Sequence, residues 1–148
     1  MAYEELISAI SRQRESIKSY LCDLISARTV NPPGDEHLAA AVLERFFITR
    51  SIPFDRYEME PGRTNIIGRI GSGRPSIAVV CHLDVVPAGD GWLTEPFEPV
   101  EKNGRIYGRG AKDNKGSLAS AMAAVRWIKE HESLLKGQVI LIGAADEE

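Results

Sequence analysis

Ile77-Ala78-Val79-Val80-Cys81 is an unbroken apolar run, and His82-Leu83-Asp84 follows it at once. A short apolar run rich in β-branched residues and bounded by turn residues predicts a strand. Because no polar residue alternates within it, the strand is expected at the centre of a sheet, covered on both faces. A second run of this kind, Val139-Ile140-Leu141-Ile142, follows Lys136-Gly137-Gln138 and leads to Asp146-Glu147-Glu148. Both runs end in ionisable side chains. Ligands in an open α/β sheet bind beyond the carboxyl ends of the strands, so these two ends are where function is to be sought.

Outward from these strands the period of the apolar residues changes. From Asn114 to about Glu130, Leu118, Met122, Val125 and Trp127 lie among alanines and predict a helix entered through Asp113-Asn114. Ile52 to Tyr57 and Asn65 to Ile70 predict strands, punctuated by Pro61-Gly62 and by Gly71-Ser72-Gly73-Arg74-Pro75. Asn103-Gly104, between Val100-Glu101-Lys102 and Arg105-Ile106-Tyr107, predicts a hairpin. Near the start, Leu6, Ile7, Ile10, Ile17, Leu21, Leu24 and Ile25 form one apolar stripe, which predicts a single long helix ending before Asn31-Pro32-Pro33-Gly34. Another helix is expected from Asp35, as N-cap, to Arg50, with Leu38, Ala41, Val42, Arg45 and Phe46 at helical spacing. Helices alternating with buried strands place the chain in the α/β class, with a mixed, largely parallel sheet and flanking helices.

Composition narrows the function. With 148 residues, 43% of them hydrophobic and 26% charged, the chain has the make-up of a globular domain. Its 18 Lys and Arg against 21 Asp and Glu give a net charge of -3, which lacks the basic excess of a nucleic-acid surface. No run approaches the roughly 20 apolar residues of a membrane span. Glu4, Glu5, Arg12, Arg14, Glu15 and Lys18 interrupt the first segment, unlike a signal peptide. Cys22 and Cys81, the two cysteines, form no C-x-x-C pair, as expected of reduced thiols in a cytoplasmic protein. The sequence stops at Ala144-Ala145-Asp146-Glu147-Glu148, directly after an apolar run, and is expected to be cut from something longer.

His82 and Asp84 are two residues apart, so in extended chain they share a face and can interact. Gly108-Arg109-Gly110-Ala111-Lys112-Asp113-Asn114-Lys115-Gly116 has glycines that let backbone approach whatever Asp113 binds. It fits neither G-x-x-x-x-G-K-[ST] nor G-x-G-x-x-G, so it is not a nucleotide loop. Glu147 and Glu148 point to opposite sides unless the backbone turns, which suits two different tasks, a metal ligand and a general base. Singly, each feature has an ordinary reading: a strand-end histidine, a helix cap at Asp113 and a solvated acidic pair. Together, one imidazole and several carboxylates at neighbouring strand ends make a mixed nitrogen and oxygen site suited to zinc or a similar divalent ion.

The ordered set His82-Leu83-Asp84-Val85-Val86-Pro87, Gly91-Trp92, Pro96-Phe97, Asn103-Gly104, Tyr107-Gly108-Arg109-Gly110-Ala111, Asp113-Asn114-Lys115-Gly116 and Asp146-Glu147-Glu148 resembles the dinuclear zinc amidohydrolases. That family includes carboxypeptidase G, acetylornithine deacetylase, succinyl-diaminopimelate desuccinylase and aminoacylase, and Asn31-Pro32-Pro33-Gly34 is similar to its early loop. The resemblance implies a zinc aminopeptidase-like catalytic domain of which residues 1–148 are the N-terminal portion, and two Zn2+ ions, with Co2+ or Mn2+ able to fill the same geometry. It implies that His82 binds one metal, Asp113 bridges both and Glu148 binds the second. Asp84 would orient or tune His82, and Glu147 would be the general base toward a metal-activated water attacking the amide of an N-acyl amino acid or small peptide.

The family supplies a further carboxylate and a late histidine beyond the Glu-Glu pair, and an inserted domain that often makes a homodimer. Neither His37 nor His131 sits in a motif resembling that histidine. The 148 residues alone are therefore expected to be a poor catalyst. A non-catalytic relative serving as a binding or assembly module is the alternative.

Overall fold

In the computed structural model, which describes residues 3–148, the chain opens with α1 (Tyr3–Arg12) and α2 (Arg14–Ser26). The single long helix expected from the apolar stripe is therefore broken. The Gln13 N–H donates to the Ile10 carbonyl three residues back, a tightened turn that interrupts the α-helical ladder while the stripe continues through it. Next comes α3 (His37–Thr49), whose start lies two residues beyond Asp35. Glu36 holds the cap position without a side-chain cap, because its carboxylate is turned to Arg63. The buried face of α3 is Ala39, Ala40, Val42, Leu43, Phe46 and Phe47, so the stripe sits about one position round from the expected one, and Leu38 is exposed.

The strands are β1 (Phe54–Glu60), β2 (Arg63–Gly71), β3 (Ser76–His82), β4 (Val100–Lys102) and β5 (Arg105–Tyr107). After them come α4 (Lys115–Glu130), a 3₁₀ turn at Glu132–Leu134 and β6 (Gln138–Ala144). The fold is mixed α/β, a four-stranded sheet in the order β1-β2-β6-β3 with helices packed on it. Within that class the parallel pairing is confined to β3 with β6; β1 with β2 and β2 with β6 are antiparallel. The β4–β5 hairpin turns at Asn103 (φ 53°) and Gly104 (φ 71°), the two left-handed positions that a two-residue type I′ turn requires.

One sheet face, carrying Ile66, Ile70, Val139 and Leu141, is buried against Leu24 of α2, Phe46 and Phe47 of α3, and Leu118 and Met122 of α4. Ile67, Ile140 and Ile142, on the alternate positions, are half-buried. The reading of Ile77 to Cys81 as a central strand is corrected: β6 takes the inner place and β3 lies at the sheet edge. Ile77 is 60% exposed and Val80 59%. An apolar run reports that a strand is meant to be covered, not which neighbour in the chain covers it. Among the described residues, no helix is long and apolar enough to cross a membrane.

Candidate functional site

The register of the parallel pair builds the site. His82 at the end of β3 is level with Ala144 at the end of β6, and the Leu83 N–H donates to the Ala144 carbonyl at 2.8 Å. The polar residues after both strands therefore emerge at one edge of the sheet. The loop before α4 reaches the same edge, with Asp113 Oδ1 3.1 Å from His82 Nε2. The Asp113–Asn114 peptide is cis. Asn114 at the cap of α4 makes no side-chain cap bond, and the Asp113 carboxylate is directed to the histidine.

Ligand atoms of His82, Glu147 and Glu148 lie within 4.8 Å of one another, with Glu147 Oε2 3.9 Å from His82 Nε2. Adjacent acids on an extended strand would diverge. They converge here because Asp146, with φ 65°, turns the backbone just before them. Asp113 meets the imidazole from the opposite loop, so three of the five residues singled out in the sequence gather at the ring of a fourth, His82.

Asp84 is fully buried and lies behind the histidine. Its Oδ1 is 3.5 Å from His82 Nδ1 and has no hydrogen-bond partner, while the Asp84 carbonyl is 3.1 Å from the same nitrogen. With Nδ1–H donating to that carbonyl, Nε2 faces the acids: it donates to Asp113 when the ring is protonated and offers its lone pair to a cation when the ring is neutral. Asp84 Oδ2 accepts from Asn31 Nδ2 at 2.9 Å, from the Glu147 N–H at 2.9 Å and from the Glu148 N–H at 3.0 Å. Asp84 thus touches both the histidine and the backbone of the two acids. Burial raises its pKa, but these donors outweigh burial and hold the carboxyl below its ordinary range. For His82, burial pulls the pKa down, yet the hydrogen bond with Asp113, the Asp84 carbonyl and the charges of Glu147 and Asp84 leave it raised.

Several residues at the site carried no assigned role in the sequence. Asn31 Nδ2 also donates to Asp146 Oδ1 at 3.2 Å and to the Glu148 carbonyl at 2.9 Å. Asn31 and Arg63 hold the Asp146 carboxyl below its ordinary pKa. Lys115, fully buried under the Asp113 loop, donates from Nζ to the Ala27 carbonyl at 2.7 Å. Burial lowers the Lys115 pKa to about 8, against the opposing charge of Asp84. The unfolded chain therefore holds this proton more tightly between about pH 8 and the ordinary lysine value of 10.5, and stability attributable to Lys115 rises with pH across that window. In Lys115→Met that rise is expected to vanish. The stability difference between variant and wild type should then move by about 3 kcal/mol in favour of wild type from pH 8 to pH 10.5, read by urea unfolding at each pH.

The donor set around His82 Nε2 is one imidazole with the carboxylates of Asp113, Glu147 and Glu148, and among the described residues no Lys or Arg pairs with any of the three. Three acids sharing one imidazole leave an excess of negative charge. Asp113 and Glu147 are 81% and 64% exposed, open to an incoming cation. Nitrogen and oxygen donors without thiolate suit zinc, cobalt or manganese, so the residues present fit a divalent metal.

The profile of peptidase family M20/M25/M40 matches residues 78–148, the segment that carries His82, Asp84, Asp113, Glu147 and Glu148. The chain is 40% identical over 129 residues to a succinyl-diaminopimelate desuccinylase of Gluconobacter oxydans, covering 85% of this chain and 33% of that protein. Its fold matches human carnosine dipeptidase 1 with a TM-score of 0.81 at 25% identity, over 97% of this chain and 34% of the other. It also matches the Bacillus subtilis YXEP protein, described as a dinuclear metal-binding peptidase, with a TM-score of 0.61 at 17% identity over 95% of this chain and 36% of that one. The chain spans about a third of the length of the curated relatives it matches. The order of the motifs, the fold that brings them to one sheet edge and these likenesses agree: residues 78–148, which carry all five candidate site residues, are a segment of the M20/M25/M40 peptidase family.

Proposed function

We propose that the whole protein hydrolyses an amide bond of an N-acyl amino acid or small peptide with the help of divalent metal, and that residues 1–148 supply the first part of its catalytic domain. The observation that carries this reading is the convergence of His82, Glu147 and Glu148 at one sheet edge, faced by Asp113. His82 through Nε2, Asp113 and Glu148 would hold the metal, two zinc ions in the complete site or cobalt or manganese in their place. A divalent ion in that place supplies Lewis acidity, polarising an amide carbonyl and making water ionisable near neutral pH. Glu147, whose Oε2 lies 3.9 Å from the imidazole, takes a proton from the attacking water on a carboxylate oxygen and delivers it to the leaving nitrogen. Asp84 keeps the imidazole oriented and ties down the backbone that bears Glu147 and Glu148.

The remaining metal ligands and the groups that choose the acyl or peptide part would come from chain beyond Glu148, which would also cover the open edge of β3. A second domain there could pair two copies into a dimer. The reduced state of Cys22 and Cys81 fits a cytoplasmic location, which fractionation of source cells with antibody against residues 1–148 tests. The same antibody captures the native polypeptide, and a product much longer than 148 residues is expected.

The function itself is tested on that whole protein, stripped with chelator and reloaded with zinc, cobalt or manganese. N-succinyl and N-acetyl amino acids and dipeptides are offered, and release of free amine is followed. Metal-dependent amine release is expected. Metal binding with no amine released from any of these classes would instead mark a non-catalytic binding or assembly module.

A further inference from the structure

Behind the acid pair lies a buried ionic arrangement that the proposed chemistry does not use. Glu36 is fully buried, and Arg63 is 17% exposed. Arg63 Nε donates to Glu36 Oε1 at 3.1 Å and lies 3.0 Å from Oε2, while Nη1 donates to the Pro33 carbonyl at 3.3 Å. The other arm of the guanidinium, Nη2, donates to Asp146 Oδ1 at 2.5 Å. The Asp146 N–H donates to Glu36 Oε1 at 3.2 Å. Asp146 is thus held at both its backbone and its side chain by the same ion pair. It is also the residue whose left-handed φ swings Glu147 and Glu148 onto the histidine.

The space for this arrangement is set by Gly34, at φ 80°. A Cβ there would stand 2.5 Å from Arg63 Nε and 2.9 Å from Glu36 Oε1. Removing two charges from water is costly, and such a pair is retained where it fixes a geometry as well as where it adds stability. Planar, forked Arg can engage Glu36 and Asp146 at once, whereas Lys offers a single point charge.

We propose that Arg63 and Glu36 are positioning residues that lock the Asp146 turn and thereby aim Glu147 and Glu148 at His82. The metal-dependent part of this inference rests on the function proposed above; the aim of the acid pair does not.

The test uses the whole protein and compares wild type with Arg63→Met, Arg63→Lys, Gly34→Ala and Asp146→Asn. Amide hydrogen exchange is measured first on metal-free protein. Glu147 and Glu148, whose N–H groups donate to Asp84, are expected to lose protection in Arg63→Met while the Leu141 amide in the core keeps its own. Equal protection of Glu147 and Glu148 in wild type and variant overturns the proposal, whether or not wild type turns over.

Cobalt(II) is then titrated in. Arg63→Met is expected to bind it about 10- to 100-fold more weakly, with shifted visible bands and a fall in kcat at nearly constant KM. Arg63→Lys should recover part of the loss. Because Arg63 acts through Asp146, the Arg63→Met/Asp146→Asn double variant should be no worse than the weaker single. A lowered melting temperature with wild-type cobalt affinity and bands overturns the proposal, as does a double variant whose losses multiply. Should Arg63→Met not fold, Gly34→Ala decides by the same readouts, since it keeps every charged group and crowds the Arg63–Glu36 contact directly. Wild type that shows the exchange pattern but neither binds cobalt nor releases amine defeats the proposed function and leaves the positioning intact.

Discussion

Glu147→Gln in the whole protein is expected to lower kcat by about 10²- to 10⁴-fold while leaving the metal content unchanged. Glutamine keeps the size of the side chain, and its backbone N–H still donates to Asp84 at 2.9 Å. What it loses is the ability to accept a proton from water and carry it to the leaving nitrogen. His82, Asp113 and Glu148 remain as donors, so metal analysis by mass spectrometry should give the wild-type stoichiometry. Steady-state kinetics on the best substrate found, with metal analysis of the same sample, separate loss of the proton carrier from loss of the metal. Wild-type turnover by the Gln variant would remove Glu147 from the chemistry.

Asp84→Ala should have the second large effect, and it acts on both stability and metal. Three donors, from Asn31, Glu147 and Glu148, lose a buried carboxylate that accepts from all of them. Removing one partner from such a buried charged arrangement costs about 3–5 kcal/mol, to be read from urea unfolding at pH 7. Divalent metal should bind about 10- to 100-fold more weakly, because the acids lose their anchored backbone and the imidazole, though still held by the residue 84 carbonyl, loses the carboxylate charge 3.5 Å from Nδ1.

The sign with pH follows from the depressed folded pKa of Asp84. Its contribution is complete above the unfolded value near about 3.9 and drains away as pH falls through the folded value. The gap in stability between wild type and Asp84→Ala should therefore be widest near neutral pH and close in strong acid. Equal stability at pH 7 together with wild-type metal affinity would show that Asp84 is a bystander.

Why these residues could be found in the sequence, and others not, has a physical basis. His82, Asp113, Glu147 and Glu148 follow directly on apolar runs or a glycine loop, and topology brings strand ends of an α/β sheet to one rim. The hairpin at Asn103-Gly104 was legible because its backbone demands left-handed φ at both positions, a purely local requirement. The edge position of β3 was not, because order across a sheet depends on which strand arrives between two others. The break at Gln13 was hidden by an apolar stripe that runs through it. Asn31 reaches Asp84 across 53 positions, and Arg63 reaches Asp146 across 83. Long polar contacts of this kind leave no period or spacing behind. Glu36 illustrates the point: it lies beside a helix start, yet it is fully buried and paired with Arg63, 27 positions away.

The strand order β1-β2-β6-β3 also sets a timetable. Although β2 and β3 are consecutive in the chain, they never touch as partners; the slot between them waits for β6. Until residues 138–144 leave the ribosome, the nascent sheet is a β1–β2 ribbon and a solitary β3, with their facing edges bare. Some 60 residues separate the end of β3 from the end of β6, a delay of about 3–12 s at ordinary rates of synthesis. Insertion of β6 joins the ribbon to β3 and carries Glu147 and Glu148 to His82 in the same movement. A nascent chain stalled earlier would hold His82 and Asp113 without Glu147 and Glu148, so it is β6 that brings the acid pair to the histidine.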